Sequence, residues 1–354
     1  MTTLSNQCAL GDALGIQLAF PVLQAPMAGS QGSALAIAIS DAGGLGALPC
    51  AMLSIEVLEA ELELIRAKPD RLINVNFFCH QPPIAESKVI EAWHQRLSGY
   101  FDAFNLDAAQ LPSGANRQPF SAEYLAAIAP FQPEIVSFHF GLPEASLLKP
   151  IKAWGGKILS TATTLEEGLW LQNQGVDLVI AQGLEAGGHR GHFLTDDLNL
   201  HRTTRDLVKV LVENLEVPVI AAGGIATSHD VDELLSLGAL GVQVGTAFLL
   251  SPEAKTSALH RAALKSELNQ NTAVTNLFSG RPARGMRNRF MLEQGDLVAD
   301  VPSFPLASTA VTALRTAAES QGLHDFSPLW AGTRAAYCEE RPAAEILQGL
   351  VKRD

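Results

Sequence analysis

Short apolar runs punctuate the whole chain, and each is followed by a stretch with helical spacing. The runs cover residues 21–24, 44–48, 72–77, 135–140, 157–160, 177–181, 218–222 and 241–244. They lack the in/out alternation of half-exposed strands and predict strands covered on both faces. Residues 55–67 carry apolar side chains at 55, 57, 58, 62, 64 and 65, which share one face of a helix. Residues 33–42 read likewise. Residues 164–173 open on Thr164, with Glu166 and Glu167 in the first turn, where acids suit the helix dipole. Residues 229–237 follow Ser228, a residue type suited to an N-cap.

Strands alternating with helices predict a parallel α/β sheet, and eight units are the number that closes a (β/α)8 TIM barrel. Two intervals are long. One runs over about 80–120, after the third strand, with a helical stretch near 86–97; the other is 192–215. Both follow a strand, so both belong on the C-terminal face of a barrel. An open doubly wound sheet would carry GxGxxG for a dinucleotide. Gly44-Leu45-Gly46 fails that test, because Pro49 stands where the third glycine belongs. Beyond residue 252 the period changes. Residues 252–268, 306–323 and 343–351 look helical, and 276–290 is a Gly/Arg-rich irregular stretch. The expectation is a barrel over 1–251 with the insertion at about 80–120. A C-terminal helical extension over 252–354, including the Arg-rich loop 276–290, would pack on it.

Composition narrows the classes. In 354 residues, 47% are hydrophobic and 18% charged, which suits a large buried core and not disorder. A net charge of -12 gives phosphate-backbone binding little support, so no nucleic-acid partner is expected. Cys8, Cys50, Cys79 and Cys338 are far apart with no CxxC pair. They read as reduced thiols of a cytoplasmic protein. The first sixteen residues lack a charged start followed by a continuous apolar core, so no secretory leader is expected. No run reaches the ~20 apolar residues of a membrane span. Nothing in the pattern speaks to oligomeric state.

Chemistry concentrates after the sixth run, in AQGLEAGGHRGH (181–192). Its glycines allow sharp turns and close approach to a ligand, and His189 could titrate near neutral pH. The same residues also suit a plain glycine-rich surface loop. The seventh run ends in AAGGI (221–225) and the eighth in QVGT (243–246). Glycines and a hydroxyl opening a helix present free N–H groups to an anion, and in barrels phosphate often binds at these two strand ends. A phosphate-bearing ligand is therefore expected there. Gly183 and Gly188 have Walker A spacing, but His189 and Arg190 replace the Lys and Ser/Thr. His189 and His192 with Asp196 and Asp197 match no zinc spacing, so no metal is expected. Cys79-His80 has nothing nearby to orient a thiol nucleophile. The other strand ends offer amide, apolar and hydroxyl groups: QAPMAG (24–29), NVNFF (74–78), His139-Phe140-Gly141 and Ser160-Thr161. Paired carboxylates of the glycosidase type are not indicated. Amides beside a Met and small residues suit a flat aromatic cofactor with polar edges.

QAPMAG, AGGLGAL (42–48), NVNFF, AQGLEAGGHRG, VPVIAAGGI (217–225), GVQVGTAFL (241–249) and SGRPARGMRNRF (279–290) together resemble the nitronate monooxygenases, in order and spacing. The bacterial flavin-dependent enoyl-acyl-carrier-protein reductases carry a similar AQGLEAGGHRG loop. The insertion and the Arg-rich stretch look more like class I of the monooxygenases. WAGT (330–333) matches the family's ending only in part. The resemblance implies a TIM barrel holding FMN. It implies FMN contacts from Asn76, Gln182, Gly187, Gly224, Gln243, Val244, Gly245 and Thr246, with Met27 by the isoalloxazine ring and His189 as the catalytic histidine. The implied reaction is oxidation of alkyl nitronates, such as propionate 3-nitronate, by O2 to a carbonyl compound and nitrite. Two alternatives stay open. One is an FMN-linked NAD(P)H-dependent reductase of enoyl thioesters or quinones. The other is a non-catalytic barrel that binds flavin or a phosphometabolite.

Overall fold

The computed structural model describes residues 8–111 and 117–352. The first seven residues, part of the stretch weighed above as a leader, lie outside them. Eight strands form one parallel sheet: β1 (Val22–Gln24), β2 (Ala47–Pro49), β3 (Asn74–Phe78), β4 (Ile135–His139), β5 (Lys157–Ala162), β6 (Leu178–Gln182), β8 (Val219–Ala222) and β9 (Gly241–Val244). All eight coincide with the apolar runs to within a few residues. The order is β1-β9-β8-β6-β5-β4-β3-β2. A parallel bridge from Leu23 to Leu45 joins β1 to the residues leading into β2. There Gln24 N donates to Leu45 O at 2.9 Å and Leu45 N to Val22 O at 3.0 Å, and the sheet closes as a TIM barrel.

The barrel is plugged at one end and open at the other. Leu23, Leu45, Leu159, Leu178, Ile180 and Ile220 meet inside it, and Leu10 and Leu14 of the helix Ala9–Leu14 join the same apolar cluster. The plug is at the N-terminal ends of the strands, so the C-terminal mouth is the end left for a ligand.

The helical ring follows the strands, and local chemistry sets its starts. Ser54 accepts from Val57 N to cap Ile55–Arg66, and Thr164 accepts from Glu167 N to cap Leu165–Asn173. For Ser228–Ser236 the cap is Thr227, not Ser228. Asp230 stands at the third helical position and completes a reciprocal capping box with Thr227.

The segment beyond residue 252 leaves the barrel and then rejoins it. Helix Ala343–Val351 packs between Ser33–Asp41 and Ser228–Ser236, with Ile346, Leu347 and Leu350 in the main core. It fills the place of the helix that should follow β9. Residues between β9 and this helix form a long excursion over the C-terminal face. Within it, Leu277, Phe278, Phe290, Leu314 and Phe326 share a second apolar core with Trp93, Leu97 and Phe101 of the insertion helix Ser87–Ala103.

The stretch 276–290, expected to be irregular, contains a strand. Its residues Ala283–Met286 (β11) pair antiparallel with Thr272–Thr275 (β10) and with Gly188–His189 (β7). Single-sequence periodicity fails here because the strands are short and one of the two pairing partners, Gly188–His189, lies far upstream in the chain.

Candidate active site

The loop after β6 is clamped at both ends. Ala283 pairs with His189 and Arg284 with Gly188 in the small sheet. Gln182 Nε2 donates to His189 O at 2.9 Å, and Gln182 Oε1 accepts from Gly191 N at 2.8 Å. Arg190 is fully buried, and its guanidinium donates to Gly183 O at 2.6 Å and Gln182 O at 2.9 Å. Glu167, also fully buried, accepts from Thr163 N at 2.7 Å and Phe193 N at 2.6 Å. The loop is not a plain surface turn: Ala186, Gly187, Gly188 and His189 line the cavity at the barrel mouth. These contacts pin the loop.

One cavity occupies that mouth. Met27, Asn76, Gln182, Gly187, His189, Gly224, Gln243, Val244, Gly245 and Thr246 all line it. The residues that the resemblance linked to FMN and to catalysis are thus brought to one place. Gly223 and Gly224 have φ of +118° and +68°, which an L side chain rarely adopts. A Cβ on Gly223 would stand 2.7 Å from Ala186 N, and one on Gly224 would stand 2.9 Å from Glu185 Cβ. At the end of β9, a Cβ on Gly245 would reach 3.1 Å from Ala25 Cβ and 3.4 Å from Met27 Sδ. Thr246 Oγ1 accepts from Gly332 N at 3.0 Å, so the C-terminal excursion closes this corner. Asn76 Nδ2 donates to Ser137 Oγ at 2.9 Å, which fixes the amide. Among the described residues, none donates to the buried Gln243 Oε1. An unsatisfied buried carbonyl at a cavity wall is a place for a ligand donor.

His189 lines the same cavity. Its ring lies among Phe78, Phe140, Phe304 and Trp330, with centroid separations of 6.3, 6.2, 5.4 and 5.5 Å. Its Nε2 is 2.8 Å from Ser279 Oγ. The Ser279 hydroxyl has the Arg281 carbonyl at 3.4 Å as an acceptor. In that arrangement the serine oxygen accepts from His189 Nε2–H and the lone pair sits on Nδ1, a tautomer assigned from the network. Burial first, then Arg117, His139, Arg281 and His80, push the His189 pKa well below the usual histidine value. The expectation of titration near neutrality is therefore revised: the ring is uncharged throughout the neutral range. His139 is also neutral, held down to about 3 by burial, and its Nε2 is 3.1 Å from His189 O. His192 lies outside the cavity wall, buried against His201 with ring centroids 5.3 Å apart. Among the described residues, no group of three or more His, Cys, Asp or Glu is placed to hold a metal.

Sequence reasoning missed Arg117, Trp330, Gly332 and Arg334, all in the cavity wall. It also missed the role of Ser279. These residues come from the insertion and the excursion, where no periodicity or motif spacing marks a wall.

The family model for nitronate monooxygenase matches residues 12–353. The chain belongs to the nitronate monooxygenase family. A nitronate monooxygenase of Pseudomonas aeruginosa is 40% identical over 344 residues, covering 96% of this chain and 97% of the relative. One of Paraburkholderia phytofirmans is 37% identical, with 99% and 96% covered. A nitroalkane oxidase from Streptomyces ansochromogenes superposes with a TM-score of 0.88 at 33% identity, over 97% of this chain and 96% of that one. FabK from Thermotoga maritima, at 22% identity and a TM-score of 0.69 over 97% and 94%, shares the fold. Family membership thus spans the excursion as well as the barrel, including residues 300–353, where the quoted motifs were weakest. No helix among the described residues is long and apolar enough to cross a membrane.

Proposed function

We propose that this family member is an FMN-dependent nitronate monooxygenase, which oxidises alkyl nitronates with O2 to a carbonyl compound and nitrite. The observation that carries the reading is the cavity itself, lined by the glycine turns at the ends of β8 and β9 and by His189 among its aromatic neighbours. The residues fit FMN. The turns at Gly223–Gly224 and Gly245–Thr246 are bare of side chains where a phosphate would need backbone N–H groups. Gln243 Oε1 has no partner among the described residues and suits a donor on the polar edge of the ring system. Met27 supplies a soft apolar surface for its face, and Asn76 and Gln182 supply amides nearby. When bound, FMN supplies the redox chemistry that carries an electron from the nitronate towards O2. The protein's part is to bind, orient and exclude water. The aromatic rings around His189 keep the reacting carbon dry. His189 Nδ1 is free to take the Cα proton of a neutral nitroalkane, whereas a preformed nitronate needs no such step.

Four free cysteines support a reducing, cytoplasmic location. The partners of this reading are a small nitronate and O2.

The test is to add a nitronate to the purified yellow protein without oxygen. The flavin should be reduced, and admitting air should release nitrite. Oxidation of NADH without any reaction on nitronates would replace this reading with a reductase. Bound flavin inert to both would leave a binding protein.

A further inference from the structure

Residues 332–334 of the C-terminal excursion run between the two glycine turns of the cavity. Gly332 N donates to Thr246 Oγ1 at 3.0 Å, which ties the segment to the turn after β9. Thr333 N donates to Glu185 O at 3.0 Å. Thr333 Oγ1 stands 3.7 Å from where a Cβ on Gly224 would be, against the turn after β8. A Cβ on Gly332 would stand 2.7 Å from Glu185 O, so main chain meets main chain here. Arg334 comes next and lines the same cavity as both turns. Among the described residues, the other arginine of that wall is Arg117, which lies by Phe304. Arg334 is thus the full positive charge beside the glycine turns.

Its guanidinium is oriented without being used up. One terminal nitrogen lies 2.7 Å from Asp230 Oδ1, and the Tyr337 ring lies 4.3 Å from the guanidinium carbon. Asp230 belongs to the helix after β8, and its Oδ2 accepts from Ala226 N, Thr227 N and Thr227 Oγ1 at 2.9–3.0 Å. Burial pushes the Asp230 pKa up, but those hydrogen bonds and the charge of Arg334 outweigh it, so the carboxylate stays ionised. The acid caps its own helix and meets the arginine through one oxygen. A guanidinium has five N–H donors, and among the described residues Asp230 is the one acceptor it meets. Its remaining donors form a planar fork that suits two oxygens of a phosphate. A phosphate monoester carries a charge of about -1.5 to -2 at pH 7, more than the partial charges of backbone N–H groups balance.

We infer that Arg334, oriented by Asp230 and Tyr337, binds the phosphate of the flavin and is the residue by which this cavity selects a phosphorylated flavin over the bare one. The inference rests on the FMN reading of the cavity and adds to it the side chain that answers the cofactor's charge. The rival account is that the Arg334–Asp230 pair only fastens the excursion to the barrel, across 104 positions of sequence. A partly exposed ion pair of that kind is worth little by itself, and its loss would weaken the site for every flavin alike.

The experiment equilibrates purified, flavin-loaded wild type, Arg334→Gln and Arg334→Lys with mixtures of FMN and riboflavin. The bound flavins are then released, separated and counted, which gives the preference for FMN without any turnover. Wild type should hold FMN strongly over riboflavin. In Arg334→Gln that preference should fall about 10-fold or more, as when a charge-assisted hydrogen bond is lost, with riboflavin affinity within about 2-fold of wild type. Arg334→Lys keeps the charge and should retain more of the preference than the glutamine variant. A preference that does not move in Arg334→Gln, whether both flavins stay or both are lost alike, would overturn the assignment. So would a lysine variant no better than glutamine. Wild type that holds the two flavins equally, or takes up neither, would instead sink the FMN reading on which the inference rests.

Discussion

His189 and Ser279, ninety residues apart, are joined by a 2.8 Å hydrogen bond between Nε2 and Oγ. The bond ties the loop after β6 to the segment before β11, and it fixes which ring nitrogen faces the cavity. The serine is 1% exposed, so no water can take its place in the wall without rearrangement.

Ser279→Ala should therefore weaken the base without removing it. The loss of one hydrogen bond is worth ~1 kcal/mol, or roughly 5- to 10-fold in rate. Turnover of a neutral nitroalkane should fall by about that factor. Turnover of the preformed nitronate should fall less, because no proton has to leave carbon. Steady-state kinetics on both substrates checks it. Equal falls would mean that the serine only shapes the wall.

His189→Asn should be more severe and more selective. Positioned base catalysis is worth ~10²–10⁴-fold, and the amide cannot accept the proton. Activity on a neutral nitroalkane should drop by at least ~100-fold, with a much smaller drop on the nitronate. The pH profile follows from the sign of the shift. A base works when deprotonated, and the His189 pKa lies well below 6.5 because of burial. Its contribution is then fully present through the neutral range and is lost only as pH falls well below 6.5. A rate on the neutral substrate, followed from pH 5 to 8 and corrected for substrate ionisation, should show no inflection near 6.5 from this group. An inflection there that disappears in His189→Asn would mean that the ring is more solvated than its surroundings indicate.

Gly245→Val isolates the cofactor corner. Gly245 has φ of −121°, so a valine is not excluded by backbone strain there, as it would be at Gly223 or Gly224. Its Cβ would sit against Ala25 and Met27, and its methyl groups would crowd the turn. Flavin content, read as absorbance per protein after purification, should fall sharply, with thermal stability of the apoprotein close to that of wild-type apoprotein. The flavin released from wild type should be FMN and not FAD, since no GxGxxG unit is present to take an adenylate half. A variant that keeps its flavin at wild-type affinity would place the phosphate elsewhere.

The eight barrel strands were legible in the chain because each is covered on both faces and so reads as an unbroken apolar run. Their closure needed only the count of eight and the right-handed crossover rule. The glycine turns at 223–224 and 245–246 were legible for a related reason: a strand end that must meet a ligand shows glycine next to the last apolar residue. His189 stood out within its loop, but its protonation did not, because a pKa is set by surroundings that lie far away in sequence. Burial by Phe78, Phe140, Phe304 and Trp330, and the charge of Arg117, come from five separate stretches. The pairing of β11 with β7 and the return of helix Ala343–Val351 to the barrel were hidden for the same reason. Local periodicity records which face of an element is buried; it does not record what buries it. That partner is chosen by long-range packing, and on this chain long-range packing brings Arg117, Trp330, Gly332 and Arg334 into the cavity wall.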